Sequence, residues 1–177
     1  MKVPVCDRSH VVFRGYTTLD REWVAKENVR HYTRVEGFDP SFAEAVRSAL
    51  DLVEAGLRDP ASNYLIAERA EANRPIGCVF LMAETPSTSR IRLFYLEEAY
   101  RGRGIGRAML KVVTAHAARH GLGRIRVSTF DRHQAACRLY RSAGFAQSVG
   151  DPSVTFGQEL RQVDFEKDLA STRREND

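Results

Sequence analysis

The sequence contains few cysteines and no long apolar segment. Its three cysteines, Cys6, Cys78 and Cys137, are an odd number without the spacing of metal ligands, so we expect no bound metal and a reducing, cytoplasmic environment. The longest apolar run, from Cys78 to Ala83, is far too short to span a bilayer. No apolar segment follows Lys2. We therefore expect neither membrane association nor a signal peptide.

Two common nucleotide-binding signatures are also missing from the glycine-rich segment Arg101 to Gly106. No Lys-Ser or Lys-Thr pair follows its last glycine, and its glycine spacing does not match the dinucleotide fingerprint. The segment instead joins an apolar run, Ile91 to Leu96, to a helical pattern that begins at Arg107. Glycines bring bare backbone close to a ligand, and the first turn of a helix offers unpaired N–H groups to an anion. The pattern therefore predicts a phosphate-binding loop.

Length and composition indicate one globular domain. The chain has 177 residues, of which 43% are hydrophobic and 28% are charged, as is usual for a globular protein with a proper core. No repeat, linker or low-complexity segment interrupts it. We predict one domain over residues 1–169 and a charged, disordered tail over 170–177.

Hydrophobic periodicity predicts helices alternating with strands, which indicates an α/β fold. The strands 91–96 and 124–129 enclose a helix, so we expect them to be parallel with a right-handed crossover. Residues 150–153, Gly-Asp-Pro-Ser, are predicted to form a loop. The predicted strands are 11–14, 64–67, 76–82, 91–96, 124–129 and 163–169, and the predicted helices are 18–36, 39–57, 104–120 and 132–144.

Two sequence blocks resemble the GNAT superfamily of N-acetyltransferases. Arg-x-x-Gly-x-Gly at Arg101 to Gly106 resembles its acetyl-CoA signature, and Ala135 to Phe145 resembles its A-A-x-x-L-Y-x-x-x-G-F segment at the expected distance. With their flanks the blocks cover Arg90 to Phe145. Weaker similarity runs from Tyr16 to Leu169 and resembles GNAT domains that are often fused behind MarR-type regulators; here we expect a stand-alone domain.

This resemblance implies a fold, a co-substrate and a set of cofactor contacts. The fold would be a single domain with a mixed, mostly antiparallel sheet, a central parallel pair that splays apart, and helices on both faces. The co-substrate would be acetyl-CoA. The backbone N–H of Leu96 would polarise the acetyl carbonyl, an oxyanion-type role, and His133 stands where the family has a coenzyme-contacting asparagine. The implied cofactor-binding residues are Leu96, Arg101, Gly102, Arg103, Gly104, Ile105, Gly106, Arg107, His133 and Tyr140.

The resemblance also implies two catalytic residues. Tyr140 matches the tyrosine that protonates the coenzyme A thiolate as it leaves, a role that suits a phenol. Glu97, between the strand and the glycine loop, is the predicted general base. Related sequences usually have Glu-Pro at this turn, and in this chain Glu98 replaces the proline. Two alternatives stay open: Tyr140 as a core residue, and Glu97 as a surface carboxylate paired with Arg101 or Arg103.

The acceptor side is predicted from the first long helix. Glu27, His31 and Tyr32 lie on it, and Glu27 and Tyr32 are the predicted substrate-binding residues; Tyr32 as plain core is the alternative. The acceptor would be a primary amine of unidentified class, attacked directly in a ternary complex. We also consider a homodimer.

The distribution of charge raises one further possibility. Ten of the 27 Lys and Arg residues, but only one of the 23 acids, Asp131, lie between Ala99 and Gly150. This basic region suits a pyrophosphate-containing coenzyme. A nucleic-acid-binding protein is an alternative, but no aromatic and basic RNA-binding motif supports it, and we expect no nucleic-acid partner. A non-catalytic acyl-CoA sensor is the other alternative, which would need neither Tyr140 nor a base.

Overall fold

Seven strands form one mixed sheet in the computed structural model, which describes residues 10–169. The strand order across the sheet is β1-β2-β3-β4-β5-β7-β6, and every neighbouring pair is antiparallel except β4 and β5. The predicted mixed, mostly antiparallel sheet with one parallel pair is thereby confirmed. The predicted tail, 170–177, lies outside the described residues. The strands are β1 (Val11–Gly15), β2 (Asn63–Arg69), β3 (Arg74–Thr85), β4 (Thr88–Leu96), β5 (Arg124–Phe130), β6 (Ala146–Thr155) and β7 (Gln158–Asp168).

Helices cover both faces of this sheet, as expected. On one face, Val24 and Leu50 pack with Phe80 in a cluster contributed by the first two helices. On the other face, Met109 and Tyr140 belong to a second, larger cluster. Burial of these apolar side chains is the main source of the fold's stability. The helices are α1 (Arg21–Arg34), α2 (Ser41–Ala55), α3 (Ile105–Arg119) and α4 (Gln134–Ser142).

The parallel pair separates after three residues of pairing. Thr88, Ser89 and Arg90 of β4 pair with residues 124–126 of β5, and the pairing stops there. From that point β4 pairs only with β3, while β5 continues along β7. The carboxyl-terminal half of β4 therefore has an open edge, and the predicted splay is confirmed.

A β-bulge in β4 lies at the start of the open edge. Leu93 has φ +48°, a left-handed conformation that is rare for a residue with a side chain, and the register with β3 shifts between Cys78 and Phe80. The Cys78 thiol donates a hydrogen bond of 2.9 Å to the carbonyl oxygen of Leu93. The bulge is thus held from the neighbouring strand.

The prediction of a loop at 150–153 is wrong. These residues belong to β6, which pairs with β7 on both sides of a register shift between Val149 and Pro152. A bulge on an edge strand tolerates proline, because no ladder hydrogen bond is required there. The local Gly-Asp-Pro-Ser signal was overridden by pairing with a distant strand. The first helical turn begins at Thr18, with Thr17 as its capping residue.

Candidate active site

A cleft of about 1410 Å³ opens where β4 and β5 separate. Its walls come from the end of β4, the glycine loop with the start of α3, helix α4 with the two residues before it, and the end of α1 with the segment that follows. The residues that line it are His31, Tyr32, Glu36, Phe94, Tyr95, Leu96, Arg101, Gly102, Gly104, Gly106, Arg107, Arg132, His133, Gln134, Ala135, Ala136, Arg138, Leu139, Tyr140, Arg141 and Ser142.

The glycine loop has the conformation that its sequence predicts. Gly102 and Gly104 have φ +72° and +77°, and Gly104 immediately precedes α3. The amides of the first turn of α3 have no intrahelical partners, and Gly106 in that turn lines the cleft. Ile105 instead points into the core with 3% of its surface exposed, so only its backbone is available to a ligand. The loop can therefore hold a phosphate through main-chain N–H groups.

Basic side chains surround this loop. Arg101, Arg107, Arg138 and Arg141 all line the cleft, which agrees with the basic region predicted from the sequence. The Arg103 side chain is not among the lining groups in the described part of the chain. The cleft therefore combines the start of a helix with positive charge, an arrangement suited to a pyrophosphate.

The amide of Leu96 faces the gap between β4 and β5. The neighbouring Glu97 N–H donates a hydrogen bond of 2.9 Å to the carbonyl of Ile76 in β3, and successive amides of an antiparallel strand point to opposite edges. The Leu96 N–H is thus directed away from β3, at the open edge. The carbonyl of the same residue accepts a 2.7 Å hydrogen bond from Arg101 Nε, which fixes this end of the strand.

Tyr140 lies in the wall of the cleft and is almost fully buried, with 3% of its surface exposed. Its ring packs at centroid distances of 6.3, 5.7 and 5.2 Å from Phe94, Phe145 and Phe165. Burial raises the pKa of its phenol, and the nearby Tyr32 raises it further. Within residues 10–169 its hydroxyl has no hydrogen-bond partner. The phenol is therefore protonated at neutral pH, and its hydroxyl forms no hydrogen bond to a described residue.

Glu97 is not brought to the cleft. Its two carboxylate oxygens accept hydrogen bonds of 2.6 and 3.0 Å from Arg74 of β3, and it is absent from the lining formed by the described residues. Its ion-pair partner is Arg74, whereas the sequence suggested Arg101 or Arg103. Because both carboxylate oxygens are already bonded to Arg74 outside the cleft lining, this geometry does not favour Glu97 as the base.

The end of the cleft where the sequence predicts acceptor binding, the acceptor end, is formed by α1 and the segment that follows it. Tyr32 lines this end, as expected, and burial raises the pKa of its phenol to about 12. Glu27 accepts hydrogen bonds from Arg30, at 3.1 Å from its Nε, and does not line the described part of the cleft. His31, which lies next to Tyr32 and four residues after Glu27, does line it.

His133, just before α4, and Glu36, just after α1, line the acceptor end of the cleft. The Nδ1 atom of His133 lies 3.0 Å from the Thr129 hydroxyl, and its Nε2 atom is buried 3.7 Å from the Glu36 carboxylate without a hydrogen bond. Burial lowers the pKa of His133, although Glu36 opposes this shift. Arg132 pairs with Glu36 at 2.9 Å. Glu36 was not identified from the sequence, because no motif surrounds it.

Two searches of the described residues give negative findings. No group of three or more His, Cys, Asp or Glu side chains between residues 10 and 169 is placed to hold a metal ion. No helix in the same range is both long and apolar enough to cross a membrane.

Comparison with known proteins gives consistent results. The model of the acetyltransferase (GNAT) family matches residues 21–145. An uncharacterized N-acetyltransferase of Bacillus subtilis (strain 168), YycN, is 26% identical over 141 residues, which are 77% of this chain and 87% of that protein. Spermine/spermidine N(1)-acetyltransferase of the same organism is 40% identical, but over only 53 residues, 29% of this chain and 35% of that protein.

Solved structures share the fold. The structure of yncA from Salmonella typhimurium with its cofactor acetyl-CoA has a TM-score of 0.73 at 18% identity, and the match covers 90% of this chain and 94% of that one. Ribosomal-protein-alanine N-acetyltransferase from Brucella melitensis also has a TM-score of 0.73, at 20% identity, with 89% of this chain and 99% of that one covered.

Proposed function

The chain belongs to the acetyltransferase (GNAT) family, and from that premise we propose that it transfers the acetyl group of acetyl-CoA to a primary amine. The amine would attack the thioester directly in a ternary complex, without a covalent intermediate on the enzyme. The observation that supports this proposal is the cleft at the split of β4 and β5, which brings together the start of α3, the open-edge amide of Leu96 and the buried phenol of Tyr140.

The residues of the cleft fit acetyl-CoA. The first turn of α3, which follows the tight turn at Gly102 and Gly104, would present backbone N–H groups to a pyrophosphate, and Arg107 and Arg138 add positive charge. Acetyl-CoA supplies a thioester, which is an activated acetyl donor. Each of these protein groups binds or orients the coenzyme and does not react.

Two protein groups act on the reacting atoms in this proposal. The Leu96 N–H stabilises the negative charge that develops on the acetyl oxygen. Tyr140 donates its proton to the leaving sulfur, because its hydroxyl is protonated, buried and otherwise unbonded. Tyr32 lines the acceptor end, where the amine would bind.

Free-thiol release from acetyl-CoA across a panel of amines tests the proposal. The panel contains spermidine, a peptide with an N-terminal alanine, a peptide with an internal lysine, tyramine and an amino acid; the first two follow from the names of the similar proteins. We expect release above the amine-free control with at least one of them, together with the acetylated amine by mass spectrometry. Acetyl-CoA binding without thiol release for any amine would instead indicate an acyl-CoA sensor.

A further inference from the structure

The reaction needs a base, because the acceptor ammonium must lose a proton before its nitrogen can attack. We propose that His31 is this base. The inference rests on the proposed function, since only an amine acceptor requires this proton transfer. It assigns a catalytic role on α1, outside both sequence blocks that carry the family resemblance.

The position of His31 supports this role. It lines the cleft, and its ring centroid lies 5.1 Å from that of Tyr32 and 5.9 Å from that of Tyr95. Tyr95 immediately precedes Leu96, whose amide faces the gap. Tyr95 belongs to the core cluster on the α1 and α2 side of the sheet, whereas Tyr140 belongs to the cluster on the α3 and α4 side. The base and the acid therefore approach the gap from opposite faces.

His31 also differs from the other four histidines in its hydrogen bonds. His116 contacts Asn63 and the Pro60 carbonyl, and His120 contacts the carbonyl of residue 116. His10 pairs with a glutamate and His133 with a threonine. Neither ring nitrogen of His31 has a hydrogen bond to a described residue. Its nitrogens are therefore available to a ligand in the cleft.

The charges around His31 keep its imidazole neutral. Burial lowers its pKa, and Arg101 and, more weakly, Arg30 lower it further, whereas Glu36 and Glu98 raise it; the shift as a whole is downward. The Tyr95 ring of β4 packs against His31, and His133 at the start of α4 also faces His31. A lowered pKa leaves the unprotonated, proton-accepting form dominant at pH 7.

Three carboxylates near the cleft are less suited to the task. Glu97 is bonded to Arg74, Glu27 to Arg30, and Glu36 to Arg132. Each would have to break its ion pair with an arginine before it could accept a proton from an ammonium. His31 requires no such rearrangement.

The proton balance is complete with His31 and Tyr140. His31 takes one proton from the ammonium, and the amine nitrogen then bonds to the acetyl carbon while the carbon–sulfur bond breaks. Tyr140 protonates the sulfur. The second proton that the nitrogen loses on forming the amide returns to the phenolate through solvent, and His31 releases its proton to bulk water. One amide, one thiol and one proton result.

His31→Gln tests this assignment, and the matched control is His120→Gln at the exposed residue that follows α3. With the fastest amine of the panel above, we expect kcat of His31→Gln to fall on the order of a hundredfold near neutral pH, with acetyl-CoA affinity by calorimetry unchanged. Wild-type kcat/KM should fall as pH drops through the pKa of His31 measured by NMR titration of its ring. This acid limb should be absent from His31→Gln and present in His120→Gln. Added imidazole should partly restore His31→Ala.

The outcomes separate this inference from the proposed function. Undiminished kcat and a retained acid limb in His31→Gln would overturn the inference while the wild type remained an active transferase. A clear mismatch between the kinetic pKa and the NMR pKa of His31 in the wild type would do the same, even if the variants folded poorly. Absence of thiol release by the wild type with every amine would overturn the proposed function and this inference together.

Discussion

Replacement of Gly106 by alanine should separate the stability of the fold from its affinity for acetyl-CoA. Gly106 is the second residue of α3, and its φ is an ordinary negative one. A Cβ at this position would lie 3.8 Å from Leu139 Cδ2 and 3.9 Å from Phe94 Cζ, which are ordinary van der Waals distances. Both of these side chains line the cleft. The methyl group would therefore fit the folded protein and project into the space required by the coenzyme.

The substitution should have opposite effects on the stability of the fold and on the affinity for acetyl-CoA. Alanine is favoured over glycine within a helix by roughly 0.5–1 kcal/mol, so the free energy of unfolding should stay constant or rise by up to about that amount. A charge-assisted hydrogen bond is worth about 1.5–3 kcal/mol. Loss of one such bond between an α3 amide and a phosphate should weaken acetyl-CoA binding roughly 10- to 100-fold.

Denaturant unfolding and isothermal calorimetry measure these two quantities. Gly123→Ala is the matched control, because its Cβ would also meet its nearest neighbour at 3.8 Å, the Ser87 carbonyl oxygen, and the residue does not line the cleft among the described residues. The control should bind acetyl-CoA like the wild type. Wild-type affinity in a well-folded Gly106→Ala protein would show that the start of α3 is not the phosphate site.

Three further predictions concern single side chains. Tyr140→Phe should lower kcat on the order of a hundredfold while KM moves much less, and thermal unfolding should hardly change, because the hydroxyl has no hydrogen-bond partner among residues 10–169; equal kcat would mark Tyr140 as a packing residue. Glu97→Gln should leave kcat unchanged and cost at most about 1 kcal/mol through its half-exposed pair with Arg74; a large loss of kcat would restore Glu97 as the base. Burial alone would raise the pKa of Asp20, but hydrogen bonds from Arg14 and Thr17, together with the Arg14 charge, outweigh it and lower the pKa below its ordinary value of 3.8. The stability from this pair should therefore be present above that value and be lost as pH falls through the lower folded pKa, and Asp20→Asn should show less of this acid dependence in thermal melts.

The sequence predicted local structure well where one segment contains all its determinants. The loop from Arg101 and the helix α3 follow from glycines and apolar spacing within about twenty contiguous residues, and both are confirmed. Strand β6 was missed because Gly150 and Pro152 are local turn signals. Only pairing with β7, which tolerates them at a bulge, makes the segment a strand.

The same distinction explains which parts of the site could be predicted. The cofactor end comes from two contiguous blocks, whereas the acceptor end combines α1, the segment after it, β4 and α4. Glu97 was a reasonable candidate base from its place after a strand. Its partner Arg74 becomes adjacent only through the β3 and β4 register, in which the Glu97 N–H donates to Ile76. A single sequence does not contain that register.

The bulge at Leu93 shows how such non-local geometry creates the site. Before the bulge, Ile91 faces the α3 and α4 side of the sheet. With strict alternation along the strand, Tyr95 would face that side too, whereas Phe94 and Leu96 would face the opposite side. The structure shows the reverse, with Tyr95 in the cluster beside α1 and Phe94 and Leu96 in the cluster beside α4. One extra residue in the strand therefore exchanges the faces. The exchange puts one aromatic ring beside the acceptor end and the other beside the proposed acid. The left-handed conformation of Leu93 costs free energy. This strain lies at the point where β4 changes faces, and the Cys78 thiol on the neighbouring strand holds the Leu93 carbonyl there.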